Sequence, residues 1–112
     1  MQPRGQAERR AVKMHVGEQA IRTTKAELQF IRRYGVTHID AAVDATDADT
    51  LMRHKEEAAA EGVSMEMIHI AIPESITLAR DPQRDRDIEV VCRTIENAGR
   101  AGLRGLNYNF CV

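Results

Sequence analysis

The chain has no tryptophan and, over 112 residues, just two tyrosines and two phenylalanines. Its core must therefore be assembled from Ile, Val, Leu, Met and Ala. Charge of neither sign dominates, with 16 Lys and Arg against 17 Asp and Glu. Outside the N-terminal segment the two signs are interleaved, which leaves no basic stripe for nucleic acid. No apolar run approaches the roughly 20 residues of a membrane span. The opening MQPRGQAERR lacks the apolar core of a signal peptide, so no membrane partner and a cytoplasmic location are expected. Cysteine is scarce as well. Cys92 falls on the apolar stripe of a helical segment and Cys111 at the end of an extended one, which favours two reduced, packed thiols over a disulfide.

Chemical signatures are missing too: there is no HExxH, paired CxxC, EF-hand loop, Walker sequence or GxGxxG. Ser64 and Ser75 are the only serines, and neither sits in a nucleophile elbow. His15, His38 and His54 have no metal-binding spacing with any carboxylate and read as structural or exposed. These gaps leave no metal site assignable to the chain's own residues.

What is present is a repeated alternation of strand and helix. Residues 1–11 carry three arginines with Pro3 and Gly5 among them, and read as a disordered lead before a domain at 12–112. A first strand is expected over Val12 to Glu18. Thr24-Lys25-Ala26-Glu27 then supplies a capping box for a helix whose Leu28, Ile31 and Tyr34 face a sheet. A second strand follows over Val36 to Val43, rich in β-branched and small residues that suit a strand covered on both sides. Asp44 to Asp49 forms a turn into a helix that runs to about Glu61, with Leu51 and Ala58 inward. The third strand, Val63 to Ile72, ends at Pro73, and a loop to Arg80 leads to Asp81-Pro82 as cap and first-turn proline of the third helix. Ile88, Val91, Cys92, Ile95 and Ala98 recur at helical spacing on that helix. The fourth strand, Leu103 to Val112, alternates Leu106, Tyr108 and Phe110 with Asn107 and Asn109.

Gly35-Val36, Gly62-Val63 and Gly102-Leu103 mark the same event three times, a helix stop passing straight into a buried strand. The fold class is α/β, a βαβαβαβ parallel sheet of four strands and three helices with right-handed crossovers. In such sheets ligands bind beyond the carboxyl ends of the strands. This selects Glu18 and Gln19 after the first strand, Asp44 after the second, His69 and Glu74 at the third, and Asn107 and Asn109 on the fourth. Amides and carboxylates hydrogen-bond sugar hydroxyls in pairs, and a histidine binds or moves a proton near neutral pH. Plainer uses stay open. His69 fits equally as a satisfied interior histidine, Asn107 and Asn109 as amides bonded to backbone. Asp44 fits best as a turn and cap residue beside Asp47 and Asp49.

Several stretches carry a family resemblance. The helix ending in Ala101-Gly102, the short hydrophobic strand and its Tyr108-Asn109-Phe110 terminus resemble the N-terminal half of mannonate dehydratases, in the xylose-isomerase-like group of TIM barrels. Glu66-Met67-Ile68 before a proline-containing loop, and Arg84-Asp85-Arg86-Asp87-Ile88-Glu89, look like the third strand and third helix of that family. The resemblance covers roughly residues 14 to 112, and Met14-His15-Val16-Gly17-Glu18-Gln19 looks like a family opening, which makes Met14 a candidate start.

The resemblance implies about half of a (β/α)8 barrel, since a whole one takes about 250 residues. It further implies a lyase that dehydrates D-mannonate to 2-keto-3-deoxy-D-gluconate with Mn2+ or a similar divalent cation, and a homo-oligomer. In the family the metal ligands, a set of His, Cys, His and Asp, come from later strands, so this chain would bind no metal by itself and would be inactive alone. Asn107, Asn109, His69, Gln19 and Asp44 would be its substrate-facing residues. Two features depart from the family: Ala42-Val43-Asp44-Ala45 lacks a histidine common there, and the loop after the third strand is short. A sugar isomerase or epimerase of the same barrel group, or a small non-catalytic α/β interaction module, is the alternative.

Overall fold

The computed structural model describes residues 14–110. The N-terminal lead, the expected start of the first strand at Val12, and Cys111 lie outside the described residues. Within them the order is β1 (Gly17–Ile21), α1 (Lys25–Arg33), β2 (His38–Ala41), α2 (Ala48–Ala60), β3 (Ser64–Ala71), α3 (Glu74–Thr77), α4 (Gln83–Arg100) and β4 (Gly105–Asn109). The four strands are parallel in the order β1-β2-β3-β4 and curl as about half of a TIM barrel, with helices on the outer side. Among the described residues β1 and β4 each have one free edge.

Local chemistry sets the helix ends. Thr24 caps α1, its hydroxyl oxygen accepting from the Glu27 amide at 3.4 Å while its O–H donates to the Glu27 carboxylate at 2.7 Å. Asp47 caps α2, with the Thr50 amide donating to one carboxylate oxygen at 2.7 Å and the Thr50 hydroxyl to the other at 2.8 Å. Each long helix then stops in the same way. Gly35, Gly62 and Gly102 take φ of +82°, +76° and +73°, and the following amides of Val36, Val63 and Leu103 reach back to the carbonyls of Ile31, Ala58 and Ala98. This six-residue closure needs a left-handed residue in the middle, which glycine supplies without a Cβ clash.

The core lies between sheet and helices. Leu28, Leu51, Val63 and Ile68 are its largest fully buried side chains, joined by Ile31, Ile39, Met65, Ala58 and Ala98. Burying one such aliphatic side chain contributes about 1.5–3 kcal/mol. Polar ties add to the packing. Lys55 donates to the Ala101 carbonyl at 2.8 Å, and the Asn97 amide donates to the carbonyls of Ala45 and Thr46 at 3.1 and 2.9 Å.

Several expectations are corrected. β1 begins at Gly17 and extends to Ile21 rather than ending at Glu18. Tyr34 does not face the sheet: it is the C-cap of α1 and is exposed, because the helix has already closed at Arg33. The stretch read as a plain loop after β3 holds the single turn α3, tied to α4 by the Ser75 hydroxyl donating to Asp87. Asp81 is not the side-chain cap of α4; the cap position falls on Pro82, and Asp81 instead pairs with Arg84 at 2.6 Å. The apolar stripe of α4 is buried only at Ala98, with Ile88 and Ile95 exposed, and Cys92 is exposed rather than packed. No described element covers that stripe.

Candidate functional site

The two faces of the sheet differ in chemistry. On the helix side Ile39 and Ala41 of β2 and Met65 and Ile68 of β3 are buried. Strict alternation would put Met65 and Ile68, three positions apart, on opposite faces. A bulge resolves this. The β2 register steps from Ile39 opposite Met65 to Asp40 opposite Met67, leaving Glu66 as the extra residue. On β1 Gln19 stands opposite Asp40 in regular register, and a step after it sets Ile21 opposite Ala41. Gln19, Asp40, Met67, His69 and Asn107 are thereby gathered on the inner, concave face.

Across that face the Asn107 side-chain amide donates to the Asp40 carboxylate at 2.7 Å, spanning β3 to join β4 with β2. Inward side chains of alternate strands share a layer in a closed parallel barrel, and this pair is the beginning of such a layer. A hydrogen bond to a charged acceptor contributes about 1.5–3 kcal/mol. Satisfaction is incomplete, however. The other Asp40 oxygen, Oδ1, and the His69 Nδ1 are both buried without a partner among the described residues. Gly105 opposes Met67 across β3 and β4, and a Cβ there would stand 3.3 Å from the Met67 terminal methyl. The absent side chain leaves that space to the thioether.

The remaining candidates are dispersed. Asn109 is exposed at the end of β4, two positions beyond Asn107, and Gln19 is exposed on β1. Glu18 is separated from Gln19: it lines a helix-side groove with Ile21, Phe30 and Ile31. Asp44 accepts from the Thr46 amide at 2.9 Å, closing a turn, and lines a groove of about 760 Å³ between α1 and α2 with Arg22, Lys25, His54 and Glu57. There Thr23, nearly buried, lies 2.7 Å from His54 Nδ1 and donates to Glu57 at 3.1 Å. His38 stacks on His15 at 3.7 Å, with its Nδ1 2.7 Å from the Thr37 hydroxyl. Glu74 pairs with Arg80 at 3.4 Å on the surface.

Asp40 is the concave-face residue that sequence reasoning missed. The available signal was an acid in mid-strand, between Ile39 and Ala41, where a carboxylate is costly unless it is partnered. Reading β2 as apolar on both sides hid it.

The family model for D-mannonate dehydratase (UxuA) matches residues 16–112 of the chain. The chain belongs to the D-mannonate dehydratase family. Its structure is similar to that of mannonate dehydratase from Streptococcus suis serotype 2, with a TM-score of 0.74 and 25% sequence identity over 88% of this chain. The chain spans 31% of the length of that relative. Among the described residues no group of three His, Cys, Asp or Glu side chains is placed to hold a metal ion. On the concave face the Asp40 carboxylate is already engaged by Asn107, and Glu66 lies 3.7 Å from His38 Nε2. The described residues therefore offer no ligand set of their own for a divalent cation.

Proposed function

We propose that this chain forms one wall of a mannonate dehydratase active site, acting on D-mannonate to give 2-keto-3-deoxy-D-gluconate and water. The carrying observation is the family match over residues 16–112, and the polar cluster on the concave face agrees with it. Asn107 and His69, with Gln19 and Asn109 at the margins, orient the hydroxyls of the sugar acid. Asp44, engaged in its own turn, keeps a structural use at the rim. The Mn2+ or similar ion, and the groups that move protons in the dehydration, come from residues outside this chain. Two free sheet edges and an open apolar groove beside β4 favour association, and the chain is a homo-oligomer.

The test is direct. Purified chain, incubated with D-mannonate and Mn2+, is expected to yield no 2-keto-3-deoxy-D-gluconate. Sustained turnover would overturn the placement of the metal and proton-transfer groups elsewhere.

A further inference from the structure

Asp40 is an expensive residue for a fold to place where it stands. One carboxylate oxygen accepts from Asn107 at 2.7 Å, but Oδ1 is buried without a partner among the described residues. A buried, unpaired acceptor costs stability that an apolar side chain of similar volume would not. The residues in register beside it on β3 and β4, Met67 and then Gly105, offer the carboxylate no side-chain polar partner. What the carboxylate does accomplish is to fix a neighbour. Asn107 is a terminal amide with two chemically opposite ends and a soft rotation between them. With Nδ2 held by Asp40, the Asn107 oxygen is committed to the other direction as an acceptor.

We infer that Asp40 is a positioning residue that locks the Asn107 amide so that its oxygen accepts from a ligand hydroxyl, an inference that rests on reading the concave face as a sugar-acid site. The bond spans β2 to β4, so it also sets the spacing of the wall at that layer. Asn107 is the residue that meets substrate, and Asp40 acts through it.

The test uses the full chain, sodium D-mannonate as the probe, and NMR signals of the Asn107 side-chain amide to follow binding. Asp40→Asn keeps a neutral acceptor for Asn107 and is expected to hold the dissociation constant within roughly threefold, whereas Asp40→Leu releases the amide and is expected to weaken binding roughly tenfold or more. The double variant Asp40→Leu/Asn107→Leu removes both partners and is expected to melt no lower than the wild type, since replacing a buried polar pair by apolar groups is close to neutral. Stability and binding thus move apart, which a merely structural pair would not allow.

Binding by Asp40→Leu equal to wild type overturns the inference and leaves the sugar-acid reading intact. Equal losses in Asp40→Asn and Asp40→Leu overturn it in favour of charge alone, and failure of the two leucine variants to fold overturns it in favour of a structural pair. No response of the wild-type chain to D-mannonate removes the sugar-acid reading itself, and the inference with it.

Discussion

Truncating Ile68 to alanine separates the two ways in which this sheet is covered. Ile68 has no exposed surface and stands in register between Ala41 and Leu106, in the layer between β3 and the helices. The substitution removes three carbons, worth about 2.4 kcal/mol of transfer at about 0.8 kcal/mol each. The cavity left behind brings the cost to about 3–4 kcal/mol, inside the usual range for such changes. Leu106→Ala removes the same number of carbons from the next strand. Leu106, however, is only half-buried, because it lines the open groove with Ile88, Ile95, Tyr108 and Phe110. Its truncation is expected to cost about 1–2 kcal/mol. Domains of this size hold about 5–15 kcal/mol in total, so the difference is readily measured. Urea unfolding followed by circular dichroism gives both values; with a slope of about 1–3 kcal/mol/M, the Ile68→Ala midpoint drops by more than about 1 M. With both variants unfolded at protein concentrations dilute enough to hold the chain as a monomer, a Leu106→Ala loss equal to or larger than that of Ile68→Ala would refute the reasoning, because Leu106 is only half-buried within one chain.

Two further outcomes follow from other parts of the chain. The Thr50 amide, and then its hydroxyl, hold the Asp47 carboxyl below the ordinary carboxylate value. The stabilisation is present above the unfolded pKa of about 3.9 and is lost as pH falls through the lowered folded value. Urea midpoints of wild type and Asp47→Ala should therefore differ near neutral pH and converge in acid, and parallel curves would contradict this account of the cap. Light scattering should give a mass above the 12.6 kDa of one chain. Ile95→Glu, on the exposed stripe of α4, should lower it, and an unchanged mass would place the contact elsewhere.

Much of the backbone plan was legible because its causes are local. Thr24 with Glu27, Asp47 with Thr50, and the three glycines that close α1, α2 and α4 act over three to six residues, and each works as the sequence implies. The alternation they punctuate leads to parallel strands in sequential order, because short connections and right-handed crossovers leave few alternatives. Asn107 stood out for a related reason: an amide at every second position of an otherwise apolar strand advertises a polar face.

Other features depend on partners distant in sequence. The stripe of α4 has the periodicity of a buried helix, yet Ile88, Cys92 and Ile95 are exposed, since burial needs a neighbouring surface and periodicity supplies only one side of the contact. Tyr34 fits the helical spacing but falls one residue beyond the last helical turn. The concave site depends on register steps, one at Glu66 that brings Met67 opposite Asp40 and one at Ala20 that brings Ile21 opposite Ala41. A shift of one residue in either strand would exchange its faces. The sequence by itself determined the elements, their stops and their parallel order, through hydrogen bonds within a turn or two of chain. Only the tertiary structure decided that Asp40 meets Asn107 across β3, because a contact between residues 67 positions apart depends on register, bulge and curl together.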